Sequence, residues 1–126
     1  MGEASVVVIT GAASGIGAAL AHRLSGPSAR LVLHTGRNAT ALEVVAAKAR
    51  AMGAQVVTRT GDLADPAVAP ALIGAARAAF GRVDQIVSNA GRAQKARFDE
   101  LTPEDLETAF AMMPMAFFRL VQAAMP

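Results

Sequence analysis

The sequence predicts an α/β fold: a doubly wound parallel sheet with strand order 3-2-1-4 and helices on both faces. Three observations lead to this fold class. Short, β-branched apolar segments alternate with longer segments of helical periodicity, and the first of them, Ser5–Ile9, lacks the polar alternation of a half-exposed strand. The composition, 53% hydrophobic and 17% charged over 126 residues, is typical of one globular unit. Because parallel crossovers are right-handed, this alternation builds one sheet covered on both sides.

The first strand, Ser5–Ile9, runs directly into a glycine-rich turn and then into a helix that begins at Gly15. Apolar residues at every fourth position predict that this helix buries one face, and Gly26-Pro27 predicts its end. The residues of that predicted face are Ile16, Leu20 and Leu24.

The same strand and helix unit then recurs. Arg30–Thr35 has the composition of a second strand, and Gln55–Thr60 that of a third. Thr40, with Glu43 three residues later, predicts a capping box at the start of the helix that connects the second and third strands. That helix is expected to end near Gly53.

A third helix and a fourth strand complete the predicted sheet. Asp65-Pro66 predicts a cap followed by proline at the first helical position, although Pro70 favours a later start. The helix is expected to run to Phe80 and to be ended by Gly81. Val83–Ser88 then predicts the fourth strand.

A last helix is predicted after the capping sequence Thr102-Pro103-Glu104-Asp105. Its apolar positions suggest a partly or wholly buried helix, and Pro114 predicts a kink or break within it. Those apolar positions are Leu106, Phe110, Phe117, Leu120 and Val121.

The charge pattern disfavours several classes of function. The formal charge is +2, and no run of Lys or Arg marks a nucleic-acid or membrane patch. There is no Cys, and His22 and His34 lack clustered partners, so no metal site is predicted and both imidazoles are expected at the surface. The longest apolar stretch, Ala109–Phe118, is too short to span a bilayer. We therefore expect a cytoplasmic protein.

The turn Gly11–Gly17 joins a buried strand to a helix N-terminus, where unpaired N–H groups and the helix dipole form an anion site. A pyrophosphate fits this chemistry. Glycine lets the chain turn tightly, lets a phosphate approach the backbone and lets the helix pack near the strand. Taken alone, the spacing fits a loop without a ligand equally well.

Three motifs, in order, resemble the short-chain dehydrogenase/reductase family. Thr10–Gly17 matches every fixed position of the family's Thr-Gly-x-x-x-Gly-x-Gly. Asp62-Leu63 matches its Asp-aliphatic pair after strand three, and Asn89-Ala90-Gly91 matches its Asn-Ala-Gly after strand four. The resemblance implies a Rossmann-type fold in which residues 1–126 form a single dinucleotide-binding domain, the front half of a family member.

By the same resemblance, Asp62 and Leu63 flank the adenine, and Asn89 braces the central strands. Ala90 and Gly91 leave room for the ribose beside the nicotinamide. The predicted cofactor-binding residues are Gly11, Ser14, Gly15, Ile16, Gly17, Arg37, Asn38, Asp62, Leu63, Asn89, Ala90 and Gly91.

The end of the second strand favours NADP(H) over NAD(H). An acidic residue there accepts hydrogen bonds from the ribose 2′-OH of NAD, and Gly36 occupies that place. Arg37 follows, and a guanidinium can form two charge-assisted hydrogen bonds to a 2′-phosphate. Asn38 and Ser14 are expected to help. The alternative is that Arg37 is a solvated loop charge.

The family transfers a hydride between a nicotinamide cofactor and a carbonyl or hydroxyl substrate, using a Tyr, a Lys, a Ser and an Asn. This chain has no Tyr, and its residue in place of the family's relay Asn is Met113. We therefore predict no catalytic residue here and no turnover by the chain alone. Two hypotheses remain: the NADP(H)-binding half of an oxidoreductase, or a non-catalytic nucleotide-binding or assembly-partner protein.

The fourth strand is predicted to lie at the sheet edge, where Ile86 and Val87 would be unprotected. We expect either a C-terminal half or a second copy of the chain to cover this edge. The sequence does not indicate the substrate.

Overall fold

The computed structural model describes residues 4–93 and 95–126. The strands are β1 (Ser5–Ile9), β2 (Ala29–Thr35), β3 (Gln55–Thr60) and β4 (Gln85–Val87); the helices are α1 (Gly15–Leu24), α2 (Ala39–Ala51), α3 (Val68–Phe80), α4 (Pro103–Met112) and α5 (Pro114–Ala124), with a 3-10 turn at Phe98–Glu100. The strands form one parallel sheet in the order β3-β2-β1-β4, with helices on both faces. The predicted fold class and strand order are confirmed.

The two faces of β1 are buried in two different apolar clusters. Val7 and Ile9 pack with side chains of α1 and α2, whereas Val6 and Val8 pack with side chains of α3 and α5. All four are at most 3% exposed. Because successive strand side chains point to opposite faces, a strand covered on both sides must be apolar throughout.

The predicted apolar face of α1 is only partly correct. Leu20 is half-buried and packs against the core, as predicted. The buried residues of this helix are Gly17 and Ala21, whereas Ile16 is 78% exposed and Leu24 is 36% exposed. Small residues let the helix backbone lie close to the sheet and the turn before it. This close approach, and not the burial of large side chains, decides which face of α1 turns inward.

The predicted capping box of Thr40 and Glu43 is also wrong. Helix α2 begins at Ala39, and Oδ1 of Asn38 accepts a hydrogen bond from the backbone N–H of Ala41 at 3.0 Å. Glu43 instead accepts a hydrogen bond from the Thr58 hydroxyl at 2.6 Å. Asn and Thr are both favourable N-caps, so capping preference could not distinguish the two starts.

The predicted start of α3 at Asp65-Pro66 is two residues too early. Oδ1 of Asp65 accepts a hydrogen bond from the N–H of Ala67 at 2.9 Å and forms a local turn ahead of the helix, which begins at Val68. Pro70 is the third helical residue, where the missing N–H has no intrahelical acceptor. As predicted, Gly81 ends the helix, with φ 79°.

The predicted last helix is two helices, and the predicted break at Pro114 is confirmed. Thr102 and Asp105 form the predicted capping box at the start of α4. Met113 separates the helices with φ −115° and ψ −84°, and Pro114 is the first residue of α5. Proline is favourable at that position because it has no N–H that an intrahelical bond would need.

The burial predicted for this segment is only partly correct. Helix α5 packs on α3, and α4 packs along α5. Leu120 is therefore buried, but Leu106, Phe110 and Phe117 are between 49% and 59% exposed. Neither these helices nor any other in the described parts of the chain is long and apolar enough to cross a membrane.

The two histidines are less exposed than predicted. His34 is buried, at 1% exposure, because its position on β2 turns its ring inward next to the glycine turn. His22 on α1 is partly buried. Strand alternation alone would have placed His34 on the same face as Val32, which is also buried.

Strand β4 is shorter than the predicted Val83–Ser88 and pairs with β1 on one side; within residues 4–93 and 95–126, no strand pairs with its other side. Asp84, just before this strand, is bonded twice to Val6. Its backbone N–H donates to the Val6 carbonyl at 2.9 Å, and its carboxylate Oδ2 accepts from the Val6 N–H at 2.8 Å. These bonds fasten the amino end of a strand that has few ladder bonds of its own.

We predict that Asp84→Asn weakens the fold in a pH-dependent way. The Val6 N–H, and secondarily Arg82, hold the pKa of Asp84 below its ordinary value of 3.8. The stabilisation is thus fully present above the unfolded-state pKa and is lost as pH falls through the lower folded-state pKa. Thermal unfolding should show a lower midpoint for the variant at neutral pH, and the difference should shrink in acid.

Asp99→Asn is the matched control, because its carboxylate makes an exposed ion pair with the nearby Arg97 at 2.8 Å. Exposed pairs of this kind contribute little. The control midpoint should follow that of the wild type throughout. A gap between Asp84→Asn and wild type that stays constant with pH would contradict the assigned role of the carboxylate.

Candidate functional site

A cleft of about 330 Å³ lies at the carboxyl ends of the strands. It opens beside β1, where the chain order reverses: β2 and β3 lie on one side of β1, and β4 lies on the other. In open α/β sheets, ligands bind at such switch points. The lining residues are Gly11, Ser14, His34, Gly36, Arg37, Gly61, Asp62, Leu63, Asn89, Ala90, Gly91, Arg92, Thr108 and Met112.

The glycine turn after β1 is packed too closely for side chains at two positions. Gly11 has φ +66°, and a Cβ there would come within 2.8 Å of the Cα of Ala90. A Cβ on Gly17 would collide with the carbonyl of Gly11 and come within 2.7 Å of Nδ2 of Asn89. Glycine at both positions is required by the close approach of the two strand ends and α1.

Thr10 joins the end of β1 to the end of β4. Its hydroxyl oxygen accepts hydrogen bonds from the backbone N–H groups of Asn89 and Ala90, each at 3.0 Å. Nδ2 of Asn89 donates to the carbonyl of Gly11 at 3.1 Å, and the N–H of Thr10 donates to the carbonyl of Val87 at 3.0 Å. This Thr10–Asn89 junction fixes the glycine turn against the strand that carries the Asn-Ala-Gly motif.

His34 joins the same turn to the segment after β3. Its Nδ1 lies 3.3 Å from the backbone nitrogen of Gly11, and its Nε2 lies 2.8 Å from the carbonyl oxygen of Gly61. Burial lowers the pKa of His34 below 6.5, an effect that outweighs the opposing bond to Gly61. The ring is therefore neutral at neutral pH.

The first turn of α1 faces the cleft through its N-cap, Ser14. The Ser14 side chain forms no capping bond, and the first turn carries no acidic residue. The unpaired N–H groups of a helix start and the helix dipole favour an anion. This end of the cleft is thus suited to a phosphate.

Charge in the cleft is mostly positive. Arg37 follows β2, Arg92 follows the Asn-Ala-Gly motif, and Asp62 is the acidic residue among those lining the cleft. Oδ1 of Asp62 accepts a hydrogen bond from the N–H of Ala64 at 2.9 Å, which orients the loop that also buries Leu63. Among the residues that the structure describes, no three His, Cys, Asp or Glu side chains converge as metal ligands.

The structure brings most of the predicted cofactor-binding residues together around this cleft and leaves four off its lining. Gly15, at φ +55°, and Ile16 lie on the exposed side of α1, and Gly17 is buried behind the turn. Asn38 caps α2. The lining residues from the predicted set are Gly11, Ser14, Arg37, Asp62, Leu63, Asn89, Ala90 and Gly91.

Sequence reasoning missed several lining residues. The end of β2 gave a usable signal for His34, because residues at the carboxyl ends of parallel strands meet at one edge of the sheet. Arg92 directly follows the Asn-Ala-Gly motif, and this position was a usable signal for it as well. Thr108 and Met112 reach the cleft from α4, and nothing in their local sequence predicts that helix's path.

Met113 packs against the Asn-Ala-Gly motif. A Cβ on Gly91 would come within 2.8 Å of the Met113 sulfur, so the thioether lies directly on the glycine. Met113 stands at the break between α4 and α5. A thioether neither donates nor relays protons, so this position supplies apolar packing next to the cleft.

The fold and the cleft define a Rossmann-type α/β protein whose cleft, suited to an anion, lies at the switch point of its sheet. The family model for short chain dehydrogenases matches residues 5–126. An uncharacterised oxidoreductase of Mycobacterium tuberculosis is 37% identical over 121 residues, which cover 96% of this chain and 46% of the relative.

Solved structures of the same family superpose on the chain. A short chain dehydrogenase from Burkholderia cenocepacia in complex with NADP superposes with a TM-score of 0.91 at 30% identity, covering 97% of this chain and 50% of the other. L-sorbose reductase from Gluconobacter frateurii, complexed with NADPH and L-sorbose, gives a TM-score of 0.88 at 29% identity, with 97% and 46% covered. The chain belongs to the short-chain dehydrogenase/reductase family and spans about half the length of these relatives.

We predict that Gly17→Ala destabilises the fold by about 1–3 kcal/mol, because the new methyl group would overpack the Thr10–Asn89 junction. The free energy of unfolding is measured by denaturant titration. Gly74→Ala is the matched control. Gly74 lies within α3 with open space around its Cβ position, so this variant should be stabilised by about 0.5–1 kcal/mol. Equal effects of the two substitutions would contradict the packing argument.

Proposed function

We propose that this chain is the dinucleotide-binding half of an NADP(H)-dependent oxidoreductase, which transfers a hydride between the cofactor and a carbonyl or hydroxyl substrate. The observation that carries the proposal is the single cleft that joins the glycine turn, Arg37, the Asp62-Leu63 pair and the Asn-Ala-Gly motif. Bound there, the cofactor would supply the hydride, and this chain's residues would hold and orient it.

The binding mode follows from the chemistry of the lining. The α1 N-terminus and Ser14 suit the pyrophosphate, because they present donors and a positive dipole end. Leu63 and Asp62 suit the adenine, by the family resemblance. Ala90 and Gly91 offer little side-chain bulk at the opposite end, where the resemblance implies the nicotinamide ribose.

The preference for NADP(H) rests on the segment after β2. Gly36 and Arg37 both line the cleft, so no carboxylate stands there to bind a 2′-OH or repel a 2′-phosphate. The Arg37 guanidinium can form charge-assisted hydrogen bonds to that phosphate. We propose this residue as the main source of discrimination between the two cofactors.

The proton-transfer residues of the reaction would lie outside the chain, which has no Tyr. The competing function is a non-catalytic nucleotide-binding or assembly-partner protein. One observation favours it: Met113, the residue aligned with the family's relay Asn, packs on Gly91 with a group that cannot relay protons. Oxidation of NADPH by the whole protein with a panel of carbonyl compounds tests this. Cofactor binding without any turnover would support the non-catalytic alternative.

We predict that Arg37→Ala weakens NADPH binding by about tenfold or more and leaves NADH binding nearly unchanged. Hydrogen bonds to a charged group contribute about 1.5–3 kcal/mol, and only NADPH offers the 2′-phosphate. Titration calorimetry with both cofactors measures the two dissociation constants.

The control is Arg97→Ala, which removes the same charge at an exposed ion pair that does not line the cleft. It should leave both affinities close to wild type, apart from a small long-range effect of charge. Equal losses of NADPH and NADH affinity in Arg37→Ala would contradict the proposed discrimination.

A further inference from the structure

We propose that His34 is a positioning residue of the dinucleotide site: its neutral ring holds the glycine turn after β1 at a fixed distance from the segment after β3. The inference rests on the proposed function, since it assigns His34 to the geometry of that site. It concerns a buried residue that no motif of the sequence singled out.

The two ring contacts define one tautomer. The Gly61 carbonyl can only accept a hydrogen bond, so Nε2 of His34, 2.8 Å away, must carry the proton. The Gly11 N–H can only donate, so Nδ1, 3.3 Å from that nitrogen, must be unprotonated. The Nε2–H tautomer satisfies both backbone groups at once, and no other protonation state of the ring does.

The ring connects two parts of the cleft with different tasks. Gly11 begins the turn that leads to the pyrophosphate site at α1, and Gly61 directly precedes the Asp62-Leu63 pair at the proposed adenine site. Each of the two segments has a further hydrogen bond of its own. The carbonyl of Gly11 accepts from Nδ2 of Asn89 at 3.1 Å. The N–H of Gly61 donates to the carbonyl of Thr35 at 3.1 Å. The imidazole is thus a rigid spacer between the two halves of the site.

His34 would act through the backbone and not on the ligand directly. Both ring nitrogens are occupied by backbone groups, and the residue is 1% exposed although it contributes to the floor of the cleft. A phosphate could reach a ring nitrogen only if one of these bonds broke. We therefore call it a positioning residue and not a catalytic one.

Protonation of the His34 ring would break its hydrogen bond with Gly11. In the imidazolium form, Nδ1 carries a hydrogen that faces the Gly11 N–H, so two donors oppose each other. Burial, which lowers the pKa of His34, keeps this form unpopulated at neutral pH. As pH falls through the folded-state pKa, the turn should lose its tie.

The charged groups near the ring belong to the loops after β2, β3 and β4 and to β3 itself. Arg37, Asp62 and Arg92 line the cleft with it, whereas the lowered pKa of His34 comes from its burial, which outweighs the hydrogen bond to Gly61. Arg59 pairs with His34 in the β2–β3 register, and its Nη1 donates to the carbonyl of Thr58 at 2.7 Å. The contributions of β1 and α4 to the cleft include no titratable group: Gly11, Thr108 and Met112.

The test uses the chain as wild type, His34→Gln and His34→Phe. Gln can still accept from Gly11 and donate to Gly61 but does not titrate, whereas Phe fills the space without either bond. Long-range ¹H–¹⁵N spectra report the ring tautomer, and the Gly11 amide shift is followed with pH. Calorimetry measures the NADP⁺ affinity of each protein at pH 8 and at successively lower pH, through the range in which the His34 ring titrates in the spectra.

We expect the Nε2–H tautomer and a Gly11 amide that titrates together with His34 in wild type but not in His34→Gln. At pH 8, His34→Phe should bind NADP⁺ about tenfold more weakly than wild type, since it leaves two backbone groups unpaired, and His34→Gln should stay close to wild type. As pH falls through the folded-state pKa of His34, wild type should lose affinity relative to His34→Gln. The 2′-phosphate of NADP⁺ also titrates near pH 6, but it does so with every variant. The ratio of the wild-type and variant affinities at the same pH therefore reports the effect of His34 alone.

An Nδ1–H tautomer, or a Gly11 amide that ignores the titration, would overturn the inference. So would a His34→Phe protein that folds and binds as tightly as wild type. If His34→Phe does not fold, the same question is decided by how the ratio of the NADP⁺ affinities of wild type and His34→Gln changes with pH. Wild type that binds no NADP⁺ at pH 8 would overturn the proposed function, and the tautomer and amide data would then decide by themselves whether His34 fixes the turn.

Discussion

The arrangement of the cleft depends on the hydrogen bonds between the ends of β1 and β4, in which the Thr10 hydroxyl accepts from the N–H groups of Asn89 and Ala90 and the Asn89 side chain donates to the Gly11 carbonyl. Because β4 has three residues, its own ladder with β1 is short. The Thr10 hydroxyl accepts from two successive N–H groups after that strand and so continues the pairing beyond the ladder. With the turn and the Asn-Ala-Gly motif locked together, Gly11 and Gly17 must lack side chains, and α1 must lie against the sheet.

Much of the fold could be predicted from sequence because the strands obey simple rules. The order of the sheet follows from alternating strands and helices and right-handed crossovers, and Pro114 and Gly81 mark helix ends by their backbone properties alone. The errors lie where tertiary contacts override the preference that the local sequence indicates. The exposed Ile16 shows this best, because a four-residue apolar period predicted that it is buried together with Leu20, and close packing through Gly17 turned Ile16 outward.

In the candidate site, too, positions that follow from strand topology could be predicted, whereas contacts that depend on tertiary packing could not. Motif residues such as Asp62 and Asn89 lie at strand ends, so their convergence follows from parallel topology. His34 is different. Nothing in its neighbours along the chain shows that its ring meets Gly11 and Gly61, which are 23 and 27 residues away. Likewise, Thr108 and Met112 reach the cleft because α4 and α5 meet at the Met113 break, which is a tertiary arrangement.

The shortness of β4 has a consequence for the coupling of binding and folding. The cleft spans a boundary between β1, paired on both sides, and β4, whose three-residue ladder should open at lower free energy than the longer ladders of the sheet. A ligand held by both sides can occupy only the closed form. Occupancy would therefore slow amide exchange chiefly in β4 and the segment after it, and the cofactor itself would become part of what keeps the sheet edge in place.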